Sequence, residues 1–416
     1  MTPDASSATA HDAVAAPARR PAMTWLLALL PLVLLAGLLT WVVHSGPADA
    51  VRGAAYPPVE KLTFQRVALA TDGITVDVLN DGPDPSTIAQ VIVDDAFWTF
   101  TAGSSTTLAH LGRTRLTIPY PWVHGETHVV RLITASGLTF DHTIAVAVPT
   151  PTPSSATFWT FALIGAYVGV IPVAIGLLWF PLMGRLGRRG LDFVLALTIG
   201  LLLFLLVDAA AESLESAAMV PGSFQGVVLA VFSAAAAFLG LEAFGQWLQD
   251  RRATSRRQGG TGWVLALLIA VGIGLHNFGE GLAIGAAFAL GEAALGSLLI
   301  VGFTLHNTTE GLAIVAPLSR DYPEGSRPPI GTLAMLGLIG GVPTIAGAWL
   351  GGFVYSPVWS VVFLALGVGA IAQVTIKIFA QVAGERPMLR YLGTAPVMAG
   401  LTAGVAVMYV TGMMIG

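Results

Sequence analysis

The chain has 416 residues, a formal net charge of −4 and only 11% charged residues, whereas hydrophobic residues make up 55% of the sequence. Soluble domains use about 25% charged residues, so this composition excludes an ordinary soluble enzyme, a basic nucleic-acid-binding protein and a disordered chain. Cysteine is absent, which excludes disulfides, thiolate metal ligands and cysteine nucleophiles. The composition predicts a polytopic α-helical membrane protein.

The N-terminal segment predicts a tail and a membrane anchor. Residues 1–22 are rich in alanine, proline and serine, as in a disordered tail. Residues 23–45 are uncharged and long enough for an anchor helix, which takes about 20 apolar residues. Ala48-Asp49-Ala50 has the small-residue pattern of a signal cleavage site. We expect a retained anchor because the apolar run exceeds a usual signal core, and in either case the next segment is exported.

Residues 55–148 predict a small extracytoplasmic β-sandwich of immunoglobulin-like size. Apolar and polar residues alternate there in short runs separated by turn-forming sequences, as in half-buried strands. These runs are 74–78, 91–93, 116–118 and 144–146. Residues 149–155 contain three prolines and predict a stiff linker.

Residues 156–416 predict a bundle of eight membrane-spanning helices. The predicted spans are 156–181, 190–213, 224–249, 261–289, 294–318, 329–352, 357–382 and 391–415. Four alternate loops carry eleven arginines and the three loops between them carry none. Because positive residues favour cytoplasmic loops, the β-domain and the C-terminus are expected outside and the N-terminal tail in the cytoplasm. Scarce lysine beside abundant alanine, glycine and arginine is typical of a GC-rich prokaryote, so we expect the plasma membrane.

The fourth and fifth predicted spans carry the same motif, H-N-x-x-E-G-L-A-I, thirty residues apart. Its polar members are His276, Asn277 and Glu280, and then His306, Asn307 and Glu310. On a helix, positions i and i+4 share a face, so each motif presents a histidine and a glutamate together. Two such faces suit a borderline divalent ion such as Zn²⁺, with Fe²⁺, Mn²⁺, Co²⁺ or Cd²⁺ as alternatives. Because buried charges are costly in a bilayer, we favour a mid-membrane metal site over helix–helix hydrogen bonding alone.

The paired H-N-x-x-E-G motifs resemble those of the ZIP (Zrt/Irt-like) family of divalent metal transporters. The resemblance covers residues 156–416 and implies a ZIP-like eight-span bundle that moves Zn²⁺ or similar ions into the cytoplasm, often through a binuclear site. The ion is then a transported substrate, with no cofactor and no enzymatic activity expected. Most members have proline before each motif glutamate, where this chain has Gly279 and Thr309, and many have a sixth-span glutamate that residues 340–344 lack. We expect one well-formed site, a weak or absent second one, and a softened fourth span at Gly279.

Other polar residues in the spans are weaker candidates. Asp208, Glu212 and Glu215 follow one face near the outer end of the second span. They predict either a solvated helix end or a vestibule that attracts cations, and Asp208, the deepest, is included among the predicted metal-binding residues. We expect the stem of Lys377 to snorkel toward the inner interface; the alternative is a counter-charge for an acid such as Glu242.

The predicted β-domain contains four histidines, of which His124 and His128 flank a predicted turn. They are candidates for capturing metal outside the cell, although unliganded surface histidines are more common. The domain is equally a candidate for binding a partner or for joining two copies of the chain in a homodimer. The expected partners of the whole chain are therefore a divalent metal ion and membrane lipid, without nucleic acid.

Two other functions stay open from the sequence. The lost prolines and the missing sixth-span acid favour, as the alternative, a metal-sensing membrane receptor with a degenerate transporter body. A membrane-embedded metalloenzyme is weaker, because no H-E-x-x-H motif with a dedicated base is present.

Overall fold

The computed structural model describes residues 21–45, 58–183, 185–255, 260–290, 293–322, 326–354, 356–383 and 392–413. The chain divides into two compact units, Met1–Pro58 and Val59–Gly416. In the first unit, helix α1 spans Pro21–Ser45, and its mostly apolar side chains from Leu29 to Trp41 are exposed. The end of the predicted tail thus already belongs to α1, whereas residues 1–20 and the predicted cleavage site lie outside the described residues.

The second unit begins with a small β-region. Its strands are β1 (Leu62–Ala70), β2 (Gly73–Asn80), β3 (Ser86–Val93), β4 (Ala96–Trp98), β5 (Thr101–Ala102), β6 (Thr107–Leu108), β7 (Arg113–Ile118), β8 (His128–Thr134) and β9 (Thr139–Ile144). They form two antiparallel sheets, in the orders β1-β2-β7-β5 and β4-β3-β8-β9, with β6 beside β3. Buried side chains of both sheets, such as Val76 and Val130, share one core. The predicted run 144–146 is a strand only at Ile144, because the chain bends away there.

Among the described residues of the second unit, eight helical segments are long and apolar enough to cross a membrane. We number the spans in chain order. The first span contains α2 (Ser155–Gly165), α3 (Ile171–Leu177) and α4 (Phe180–Met183), and the sixth contains α9 (Ile330–Gly341) and α10 (Pro343–Phe353). Each of the others contains one helix: α5 (Arg188–Met219) in the second, α6 (Gly226–Ser255) in the third, α7 (Thr261–Ala289) in the fourth, α8 (Ala293–Val315) in the fifth, α11 (Pro357–Ala383) in the seventh and α12 (Ala395–Gly412) in the eighth. Each coincides with a predicted span to within a few residues. The prediction of a mostly helical chain with many apolar helices and a small β-region is confirmed.

The first and sixth spans are interrupted midway. In the first span a π-helical turn, Ala166–Val170, separates α2 from α3, and in the sixth span the helix breaks at Val342. Pro172 and Pro343 lie just after these interruptions, and proline removes an amide donor and disturbs the preceding turn. By contrast, α7 runs without a break through Gly279, so the expected softening there is not observed.

Glycines bring the motif helices close to the interrupted spans. A Cβ atom on Gly281 of α7 would lie 2.1 Å from the Thr344 carbonyl oxygen of α10. A Cβ atom on Gly311 of α8 would lie 2.2 Å from the Val173 carbonyl oxygen of α3. Only a residue without a side chain fits at such separations, so each motif helix packs directly against the second half of an interrupted span.

Candidate metal centre

The duplicated motif lies in the interior of the helical region. All six of its polar side chains are buried, and none is more than 6% exposed. They lie well inside α7 and α8. Both motif faces are therefore directed toward the interior, which follows locally from the i, i+4 spacing within each helix.

Two histidine side chains converge on the carboxylate of Glu280. The ligand atoms of His276, Glu280 and His306 all lie within 4.8 Å of one another. Nε2 of His276 lies 3.2 Å from Oε1 of Glu280, and Nε2 of His306 contacts the same oxygen in a short hydrogen bond. Two imidazoles and a carboxylate at this separation form a donor set that suits Zn²⁺ and related ions.

The second oxygen of Glu280 is held by Asn307. The Nδ2 group of Asn307 donates to Oε2 of Glu280 at 2.9 Å and to the Val168 carbonyl at 3.0 Å. In a regular α-helix, the Val168 carbonyl would accept from the amide of residue 172, but Pro172 has no amide hydrogen. Asn307 thus connects the carboxylate of the cluster to the interruption in the first span.

Asn277 makes the corresponding contact on the other side. Its Nδ2 group donates to the Gly340 carbonyl at 3.0 Å, just before the break at Val342. The sequence argument treated the two asparagines as adjoining ligands and missed that each one also fastens an interrupted helix. Pro172, which offers no amide hydrogen to the Val168 carbonyl, was the sequence signal for one of these two carbonyl partners.

Several buried oxygens near the motif have no hydrogen-bond donor among the described residues. They are Oδ1 of Asn277, Oδ1 of Asn307, both carboxylate oxygens of Glu310 and Oγ1 of Thr344. Buried polar atoms normally have partners, and an isolated buried carboxylate is costly. A bound cation would satisfy acceptors of this kind, and Thr344 is a residue that the motif analysis did not single out.

Glu310 does not belong to the three-residue cluster. It lies within electrostatic range of Glu280 and of both histidines. The structure therefore brings together three of the four motif histidines and glutamates and leaves the fourth, Glu310, nearby but outside the cluster. The expected role of Glu310 as a metal ligand stays a prediction.

The acids of the second span lie at different depths. Asp208 is exposed on α5 and is outside the three-residue cluster, so its predicted part in metal binding stays untested. Glu212 is half-buried and lies within electrostatic range of His276 and Glu280, as well as of Asp208. Glu212 is thus the acid of this span whose charge interacts with the cluster.

The favoured interpretation of the sequence expected Lys377 to snorkel toward the inner interface. In the structure its side chain is directed at an acidic residue of a neighbouring helix. Its Nζ atom forms an ion pair with Oε1 of Glu242 at 2.6 Å. Gln373 donates to the other oxygen of Glu242 at 2.9 Å. The structure therefore supports the alternative expectation, a counter-charge for Glu242, because a partly buried ammonium group is compensated by the facing carboxylate on α6.

The histidine pair of the β-region is not arranged as a metal site. His128 is buried, and its Nδ1 lies 2.6 Å from Oδ2 of Asp94. Its Nε2 accepts from the Val123 amide at 3.1 Å. Because both ring nitrogens are engaged, His128 has no free atom with which to join His124 in holding a metal ion.

Neither models of known protein families nor curated proteins match this chain. The functional argument therefore depends on the geometry of the cluster and of the helices that surround it.

Proposed function

We propose that the chain is a ZIP-like transporter that carries divalent transition metal ions, Zn²⁺ foremost, across the plasma membrane into the cytoplasm. His276, Glu280 and His306 are its primary ligands, and Asn277, Asn307 and Glu310 complete or extend the site. The β-region and the C-terminus lie outside the cell in this proposal, and the N-terminal tail lies in the cytoplasm.

One observation carries the proposal: two histidines and a glutamate from different helices meet in a buried position between apolar helices. Hydrogen bonding between helices would explain contacts among these groups, but it would not explain the neighbouring unpartnered oxygens, including both oxygens of Glu310. A cation explains both, because it compensates the carboxylates and accepts the free oxygens as ligands.

The surroundings of the site fit transport better than static binding. Interrupted helices beside a mid-membrane site are a recurrent feature of transporters, and the interruptions of the first and sixth spans are tied to the motif through Asn307 and Asn277. Glu212 and Asp208 would lead cations toward the cluster. Because ligand histidines and carboxylates must be deprotonated, metal uptake should weaken in acid.

The test is ⁶⁵Zn²⁺ flux into proteoliposomes containing the wild type or Glu280→Gln. This substitution keeps the size of the side chain but removes the charge shared by both histidines, so we expect flux to fall to background. Glu126→Gln, an exposed glutamate of the β-region, is the matched control and should transport normally. Equal flux in the wild type and Glu280→Gln would overturn the assigned site, and no flux for Zn²⁺, Fe²⁺ or Mn²⁺ in the folded wild type would overturn transport.

A metal-sensing receptor is the second candidate, favoured by a contact between the β-region and the helices. Asp81 accepts from the Gly222 amide at 2.8 Å and from the Ser223 hydroxyl at 3.0 Å, in the segment between the second and third spans. Lys61 pairs with the same carboxylate at 2.6 Å. If metal changes the hydrogen exchange of residues 220–225 and of β1 without any flux, the receptor is the better description.

A further inference from the structure

A cavity of about 650 Å³ lies between the β1-β2-β7-β5 sheet and the segment that joins the sixth and seventh spans. The sheet contributes polar and charged side chains to its wall, and the helices contribute Phe353, Val354 and Pro357. Phe353 ends the sixth span and Pro357 begins the seventh. If these helices cross a bilayer, the cavity opens at the membrane surface.

Arginines dominate the charge of this cavity. Arg66 pairs in register with Asp77 across β1 and β2, and Asp77 pairs in register with Arg115 across β2 and β7. Arg113 lies two residues before Arg115 and therefore on the same face of β7. All four residues line the cavity, so three positive charges and a single carboxylate share its wall.

The Asp77 carboxylate forms an ion pair with one of the arginines, Arg115. Nε of Arg115 donates to one oxygen of Asp77 at 2.7 Å, and Nη2 donates to the other at 3.0 Å. Within the part of the chain that the structure describes, Arg66 and Arg113 have no acidic partner. Two guanidinium charges are therefore left uncompensated in one cavity.

Two of the donors at the cavity are buried and unused. Nε of Arg66 and Nε2 of Gln65 have no acceptor among the described residues. A β-bulge between Phe64 and Arg66 places these two side chains at consecutive positions of the cavity wall, and bulges commonly redirect side chains at functional sites. Buried donors without acceptors are rare in folded proteins, which indicates that an acceptor from outside the chain fits here.

We propose that this cavity binds a phosphate-type oxyanion, either the phosphate of a phospholipid headgroup or free inorganic phosphate. Guanidinium groups present forked donors that match phosphate oxygens, and Gln65 adds a neutral donor beside them. The apolar residues at the ends of the two spans would accommodate the first carbons of a lipid. This inference depends on the cavity and not on metal transport, so failure of zinc flux would leave it intact.

The test uses the purified full-length chain in detergent after delipidation, with inorganic phosphate titrated by calorimetry. We expect saturable binding that weakens roughly tenfold for each arginine removed in Arg66→Gln and in Arg66→Gln with Arg113→Gln, because a hydrogen bond to a charged group contributes on that scale. Arg131→Gln is the matched control, since Arg131 lies in the other sheet and pairs with Asp141. The control should bind phosphate as the wild type does.

A second arm identifies the source of the phosphate. Native mass spectrometry of protein extracted from phosphatidylglycerol nanodiscs compares lipid retained by the wild type and by the double variant. Retention that is lost in the variant and displaced by added phosphate assigns the cavity to a headgroup, whereas phosphate binding without differential retention assigns it to the free ion. If the glutamine variants do not fold, Arg66→Lys with Arg113→Lys keeps the charges but removes the forked donors and should still weaken binding. The proposal is overturned if a folded variant binds phosphate and retains lipid as the wild type does.

Discussion

Asn307 provides the sharpest test of how the candidate metal centre is held. Its amide group donates to the Val168 carbonyl and to Glu280, at 3.0 Å and 2.9 Å. Asn307→Ala leaves both acceptors buried without these donors. Each such loss costs about 1–3 kcal/mol, so the free energy of unfolding should fall by about 2–6 kcal/mol for the two bonds together.

Asn277→Ala is the matched comparison, because it removes the same residue type from the same place in the other motif. Asn277 is equally buried and donates to the Gly340 carbonyl at 3.0 Å, with Glu310 also within interaction range of its amide. We expect a loss of about 1–3 kcal/mol for the bond to Gly340. The difference between the two variants thus reports mainly on the bond to Glu280 and should appear in thermal unfolding followed by tryptophan fluorescence in detergent.

A second substitution separates the two bonds of Asn307. Pro172→Ala supplies the amide hydrogen that a regular helix would offer to the Val168 carbonyl. In the Asn307→Ala background it should recover about 1 kcal/mol of stability, without restoring Zn²⁺ affinity, because Glu280 still lacks its donor. Equal losses of unfolding free energy in Asn307→Ala and Asn277→Ala would refute this reasoning. It would also be refuted if Pro172→Ala had the same effect in the wild type and in Asn307→Ala, as measured by a double-mutant cycle.

Three further predictions concern contacts outside the metal centre. Although burial raises the pKa of Asp81, hydrogen bonds from its lysine partner and from the segment between the second and third spans lower it below 3.8, so this contact should persist at pH 3.8 and be lost only as the pH falls through the lowered pKa. Proteolysis of that segment across pH checks this, and Asp81→Asn should expose it at every pH. Glu242→Gln should cost about 1–2 kcal/mol by leaving Lys377 unpaired, and adding Lys377→Met should recover part of it; an unchanged melting temperature in the single variant would contradict the ion pair. Gly281→Ala places a Cβ atom 2.1 Å from a carbonyl oxygen and should cost about 1–3 kcal/mol. Gly240→Ala, with nothing within 4 Å, should be neutral or stabilising by about 0.5–1 kcal/mol, and similar melting temperatures for the two alanine variants would argue against close packing.

The candidate site was predictable to the extent that it depends on helical periodicity. The i, i+4 spacing places His276 and Glu280 on one face of α7 whatever the rest of the fold does, and the structure has them 3.2 Å apart. Which residue of α8 would meet them was not predictable from spacing. The structure joins His306 to Glu280 and leaves Glu310 without a hydrogen bond, because the relative rotation of two helices is set by packing against their other neighbours.

The difference between spacing within a helix and packing between helices also explains what the sequence interpretation missed. The motif asparagines were visible in the sequence, but their hydrogen-bond acceptors on other helices were not. Asn307 donates to the Val168 carbonyl and Asn277 to the Gly340 carbonyl, and each acceptor is far from its donor in the chain. Lys377 was expected to snorkel, with a counter-charge for Glu242 as the alternative, and the structure supports the alternative by placing Glu242 of α6 opposite it.

The sequence by itself determined which segments are apolar helices and which are short strands, since hydropathy and the periods of 3.6 and 2 are properties of neighbouring residues. It also determined the residue types of the candidate metal centre. Only the tertiary structure decided which buried groups lie within hydrogen-bonding distance of one another, which carbonyls are supported at the two helix interruptions, and that three arginines and one aspartate line a cavity beside the helix ends. These features depend on distances between remote residues, and such distances follow from how the helices and sheets pack.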